Sequence, residues 1–103
     1  MNLSQPGRSF TADYSEENGK EPLFRCRVEL IKFRDWCAFL YDLRSRDAKG
    51  KPKLIYEELT VSSPKHGREL LTKQLATIVR GEGLPNRSLT WAAFSPSSGV
   101  ERA

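Results

Sequence analysis

The stretch LFRCRVELIKFRDWCAFLYDL, Leu23 to Leu43, decides what kind of fold this chain can adopt. Phe24, Cys26, Val28 and Leu30 alternate with Arg25, Arg27 and Glu29, so an extended chain here has one apolar and one charged side. That two-residue period is the pattern of a half-buried β-strand. The run DWCAFLYDL that follows is apolar on both parities, as a strand in the middle of a sheet would be. Only Arg34 and Asp35 stand between the two runs, and they make a poor two-residue turn. A bulge within one long bent strand therefore stays open as an alternative.

Downstream, RDAKGK supplies turn chemistry, with Gly50 free to take a positive φ. KLIYEELTV, rich in β-branched and aromatic residues, reads as a third strand. Then VSSPKHGRELLTKQLATIVRGEG carries the marks of a helix. Ser63 is placed to cap it, Pro64 to open it, Arg80 to lie in its last turn and Gly81 to stand just past its end. Leu71, Leu75 and Ile78 share one face, flanked by Leu70 and Val79, while Lys65, Lys73 and Arg80, with Glu69 among them, lie opposite. The expected class is α+β: a small antiparallel sheet of three to four strands packed on one C-terminal α-helix, in the order β-β-β-α, with an extra strand an option near residues 88–94.

Around this core, residues 1–21 read as a flexible N-terminal tail. They carry Pro6, Gly7 and Gly19, and Arg8 and Lys20 face four acids, Asp13, Glu16, Glu17 and Glu21. A loosely attached arm using Phe10 and Tyr14 is the other reading. Residues 22–81 are the α+β domain, and 82–103 a C-terminal segment partly docked through SLTWAAF, residues 88–94. With 103 residues, a hydrophobic share of 38% and a charged share of 29%, the chain has room for one small core. Cys26 and Cys37 form neither a disulfide framework nor a metal pattern, which points to a reduced, cytoplasmic setting. The N-terminus lacks an apolar signal region, and WCAFLY is far short of the roughly 20 residues that span a bilayer, so a soluble protein without a membrane partner is expected.

If the turn occupies residues 47–50 and pairs Arg46 with Lys51, Trp36, Ala38 and Leu40 share a face with Ile55, Leu59 and Val61. Cys37, Phe39, Tyr41 and Leu43 then lie beside Leu54, Tyr56, Glu58 and Thr60. One amphipathic helix covers one face, and the first set suits it better. Phe39, Tyr41 and Tyr56 remain on an uncovered face. Either Trp91 and Phe94 fold back over it, or it serves a homodimer, a partner protein or unpaired bases.

Charge supplies the functional signal. Arg44, Arg46, Lys49, Lys51 and Lys53 face a single acid, Asp47, so residues 44–53 hold a net +4, the same as the whole chain. Clustered Lys and Arg bind phosphate and release counterions, and a helix start at Ser63–His66 offers free backbone N–H groups to an anion. The candidate binding residues are Arg44, Arg46, Lys49, Lys51 and Lys53 at the hairpin tip, Tyr41 and Tyr56 behind it, and Lys65 and Lys73 on the helix. DNA or RNA is the expected partner. An acidic protein surface, met by an adaptor or inhibitor through the sheet and the same hairpin, is the alternative.

In outline, residues 36–80 resemble two nucleic-acid modules. Trp36, Tyr41, Asp42, Arg44, Asp47, Gly50 and Lys51 are similar to the W…Y-D-x-R-x-x-D-x-x-G-K hairpins of the arm-type domain of tyrosine integrases, a three-stranded sheet on a helix. SSPKHGREL is similar to the basic helix start in the later half of the double-stranded RNA-binding domain. No catalytic integrase domain follows, and residues 1–22 have no counterpart to the first helix of the RNA-binding domain. The resemblance implies a shape class and identifies no family.

Catalysis is not expected. His66 is the only histidine, no spacing joins it to Cys37 as a nucleophile pair, and Glu57 and Glu58 point to opposite faces of a strand. No phosphate-cradling glycine loop and no Cys/His ligand set is present, so neither cofactor nor metal is expected.

Overall fold

A computed structural model describes residues 9–31 and 35–94. Five strands and one helix follow in the order β1 (Ser9–Tyr14), β2 (Phe24–Ile31), β3 (Asp35–Arg46), β4 (Pro52–Val61), α1 (Pro64–Gly81) and β5 (Ala92–Phe94). The strands form a single sheet in the order β4-β3-β2-β1-β5, every pair antiparallel. The α+β class, the three central strands, the helix after them and a strand within residues 88–94 all match the expectation. Ile31 pairs with Asp35, so β2 and β3 are two strands of a hairpin and not one bent strand.

The expected tail is corrected over residues 9–14, which form β1. Ser9, Ala12 and Tyr14 are buried, and Phe10, Ala12 and Tyr14 lie across from Val28, Cys26 and Phe24. The two-residue period is present in the sequence, but it is short, built partly on Ala12, and set among acids and glycine. Tertiary partners complete it: the Tyr14 hydroxyl donates to the Pro85 carbonyl, and Arg87 donates to the Glu16 carbonyl and to Asn18 Oδ1. The domain therefore starts at or before Ser9. Residues 1–8 and 95–103 of the two expected end segments lie outside the described residues.

The core lies between α1 and the face of the sheet carrying Phe24, Cys26, Val28, Ala38 and Leu40. α1 presents Gly67, Leu71, Leu75 and Val79 to it, a stripe at intervals of four, while Leu70 and Ile78 are half-buried at its sides. The Ser63 side chain accepts from the His66 N–H at the N-terminus, as its sequence position predicts. His66 Nδ1 in turn accepts from the Ser62 N–H at 3.3 Å. The C-terminus runs further than expected. Gly81 is helical, and Gly83 takes the positive φ of 72°. The Gly83 and Leu84 N–H groups donate to the carbonyls of Arg80 and Val79, and Leu84 packs onto the core, as in a Schellman cap.

Gly67 sets how closely α1 approaches the sheet. A β-carbon there would stand 3.0 Å and 3.1 Å from the two Val28 γ-methyls and 3.3 Å from Val61 Cγ2. Alanine favours a helix interior over glycine by about 1 kcal/mol, yet here the Val28 and Val61 methyls, held in the packed core, would have to give by a few tenths of an ångström. Gly67→Ala is therefore expected to destabilise the protein by about 1–3 kcal/mol in urea unfolding, in spite of that propensity. Leu75, 3% exposed under the middle of the helix, should cost about 2–5 kcal/mol on substitution by alanine. A loss below about 1 kcal/mol would show the wrong helix face in the core.

Candidate functional site

The basic hairpin joins β3 to β4. β2 pairs with β3 only as far as Asp42, so residues 46–52 extend past the end of β2. The turn is built by Asp47. Its backbone N–H donates to the Lys51 carbonyl at 2.8 Å, and its own carbonyl accepts from the Gly50 N–H at 2.9 Å. Its carboxylate accepts from the N–H groups of Lys49 and Lys51 at 2.8 Å and 3.0 Å, which holds its pKa below the usual carboxylate value. Gly50 takes φ 81°. This left-handed residue adds one position to the loop, so Arg46 pairs with Pro52 and not with Lys51.

Arg46, Lys49, Lys51 and Lys53 are all exposed around this turn. Among the described residues, none of the four has an ion-pair partner. Arg44 is different. Residues 43–45 of β3 have no partner between Lys53 and Pro52 of β4, and this bulge turns Arg44 toward the end of α1. Its guanidinium donates to both Glu82 carboxylate oxygens at 2.8 Å and 3.0 Å and to Asp42 at 3.0 Å and 3.1 Å. It also lies 4.7 Å over the Phe24 ring. Glu82 and then Asp42 raise the Arg44 pKa, and Arg44 lowers both carboxyl pKa values. Arg44 thus ties the hairpin base to the helix, with its charge already matched.

The remaining candidates separate. Tyr41 stacks on Phe39 with ring centroids 6.4 Å apart, on the face away from α1. The register sets Tyr41 across from Arg25 and Phe39 across from Arg27. Arg25 is held by Asp13 at 2.8 Å and 3.0 Å, and Arg27 lies beside Glu29 at 3.3 Å. Burial raises the Tyr41 pKa. Tyr56 is corrected to the other face: it lies across from Leu40 and packs half-buried on the core. Between Leu40 and Tyr41 the β3–β4 register shifts, so β4 changes parity and Glu58 likewise moves to the helix side, across from Ala38.

Lys65 and Lys73 do not join the tip. With Arg68, Thr72 and Ala76 they line a groove of about 480 Å³ closed by Trp91, just ahead of the strand at the opposite edge of the sheet. Lys65 is also roughly 25 Å along the helix axis from Glu82, which marks the hairpin base. Neither Trp91 nor β5 covers Phe39 and Tyr41, because β5 pairs with β1. Trp91, read from the sequence as one option for covering that face, lies instead against the flank of the helix.

Neither cysteine is set up as a nucleophile. Burial, and secondarily Asp13, push the Cys26 thiol up to about 12. Burial also raises that of Cys37, whose thiol donates to the Leu59 carbonyl. Among the described residues no three His, Cys, Asp or Glu side chains converge as metal ligands do, and no helix is long and apolar enough to cross a membrane. Comparison with family models, curated proteins and solved structures yields no match for this chain.

The Arg44 cluster gives a pH signature. A carboxyl whose folded pKa is depressed stabilises the fold above its unfolded value near 4, and that stabilisation is lost as pH falls through the lower folded value. Asp42 and Glu82 are both depressed by Arg44. Arg44→Met should therefore lower the urea midpoint at neutral pH and shrink its drop on going to about pH 3. An unchanged pH profile would exclude the cluster as a source of stability.

Proposed function

We propose that the chain is a small, non-enzymatic nucleic-acid-binding module whose contact surface is the tip of the β3–β4 hairpin. The observation that carries this reading is the set of exposed cations Arg46, Lys49, Lys51 and Lys53, which lack carboxylate partners among the described residues, on a turn reaching past β2. Each can neutralise a phosphate and release a counterion. A two-stranded ribbon also has the right width for the major groove of a duplex. Asp47 keeps the loop ordered before binding, so little conformational freedom is lost on contact. Tyr41, near the hairpin base, offers a ring to an unpaired base. Arg44 holds the hairpin in place, and Lys65, Lys73 and Tyr56 fall outside the surface.

The test is titration of a random-sequence DNA duplex and of its RNA counterpart over a range of salt concentrations. Replacing Lys49, Lys51 and Lys53 together by glutamine should weaken binding by about tenfold or more at low salt and reduce the salt slope by about 1 per lysine removed. Arg44→Lys should leave the slope alone. Affinity unchanged by the triple replacement would remove the reading. Binding to an acidic polypeptide but to neither nucleic acid would move the hairpin to a protein partner.

A further inference from the structure

Leu54, Ile55 and Leu59, at 41%, 37% and 57% exposure, are the large apolar side chains left open among the described residues, and all three lie on β4. β4 is the edge of the sheet, with β3 as its neighbour. Its outer edge offers backbone donors and acceptors to another strand, interrupted by bulges at Ile55 and at Leu59–Thr60, where the ladder to β3 skips. Sheets that stay single blunt such an edge with short strands, prolines, bulges, or charges along its whole length, and of these β4 carries bulges within the strand. Here the proline is Pro52, at the first position, and the charges are sorted. Lys51 and Lys53 stand at one end, Glu57 and Glu58 at the other, with Leu54, Ile55 and Tyr56 between them.

A strand that runs from positive through apolar to negative is complementary to itself when turned end for end, and repels itself when parallel. The faces agree as well. Lys53 lies across from Asp42 and Glu58 across from Ala38, so both stand on the helix side of the sheet. We propose that β4 is the seam of a homodimer. Two copies pair edge to edge, antiparallel, about a two-fold axis near Ile55 and Tyr56 and perpendicular to the sheet. Lys53 of each copy meets Glu58 of the other, and the exposed leucines and Ile55 lose their contact with water. The two hairpin tips then point in opposite directions from the shared seam.

The test is sedimentation equilibrium without nucleic acid, so it stands apart from the hairpin-tip reading. The native chain should sediment at twice its mass of 11.7 kDa. Lys51→Glu with Lys53→Glu, and separately Glu57→Lys with Glu58→Lys, make the strand one sign throughout, and each variant should sediment as a monomer. An equimolar mixture of the two variants should restore the dimer, because an all-negative edge then faces an all-positive one. Leu59→Arg, which changes the most exposed apolar side chain and none of the existing charges, should also give a monomer. A cooperative thermal melt of each variant checks that it is folded. A monomeric native chain, a dimer that survives both reversals, or a mixture that stays monomeric overturns the proposal; the first of these would leave the edge to a strand of another protein.

Discussion

The contact between the α1 stripe of Gly67, Leu71, Leu75 and Val79 and the β2–β3 face governs the rest of the molecule. One helix is about 10 Å across, while five strands spaced at about 4.8 Å make a sheet roughly twice as wide. A single helix cannot cover such a sheet from edge to edge. Glycine at 67 lets α1 settle close over Val28 and Val61, so the centre is sealed and both flanks are left to other devices.

The two flanks are treated differently. On the β1 side, residues 84–94 wrap the sheet: Leu84, Leu89 and Trp91 pack against the core, Pro85 receives the Tyr14 hydroxyl, Arg87 holds the loop after β1, and β5 pairs with β1. On the β4 side no such segment exists among the described residues, and Leu54, Ile55 and Leu59 stay open. The exposed edge is thus a consequence of helix width and of where the C-terminal segment was used. Among the described residues, the segment that could cover an edge is used on β1, and the edge at β4 stays open.

The elements legible in the sequence were those whose pattern is local. Alternation of Phe24, Cys26, Val28 and Leu30, the cap at Ser63 and the turn at Asp47–Gly50 depend on neighbours in the chain, and each forms where it was read. β1 was not legible, since Phe10, Ala12 and Tyr14 become a strand only through β2, β5 and Pro85. Register failed for a similar reason. Each irregularity in the β3–β4 ladder moves side chains between faces, and three of them occur between Trp36 and Arg46. That is why Phe39 and Tyr41 lie on the open face as read and Tyr56 does not. At the candidate site the charge cluster was visible, but the division of labour within it was not. Arg44 is indistinguishable from Arg46 in sequence until the bulge at residues 43–45 carries it to Glu82.

That division has a physical logic. A hairpin tip carrying several like charges repels itself and tends to open, the more so where it extends past its neighbouring strand. Here the acid within the tip, Asp47, spends its carboxylate on two backbone N–H groups and not on a lysine side chain. It therefore stabilises the loop's shape while leaving the lysine ammonium groups free. Arg44 does the converse at the base, giving its charge to Glu82 and Asp42 and fixing the hairpin to the end of the helix. Arg44 with Asp42 and Glu82, and Asp47 with the loop backbone, serve as structure, and within one chain Arg46, Lys49, Lys51 and Lys53 keep no carboxylate partner among the described residues. A carboxylate paired directly with Lys49 or Lys51 would have ordered the same loop and removed the very charge that the surface presents.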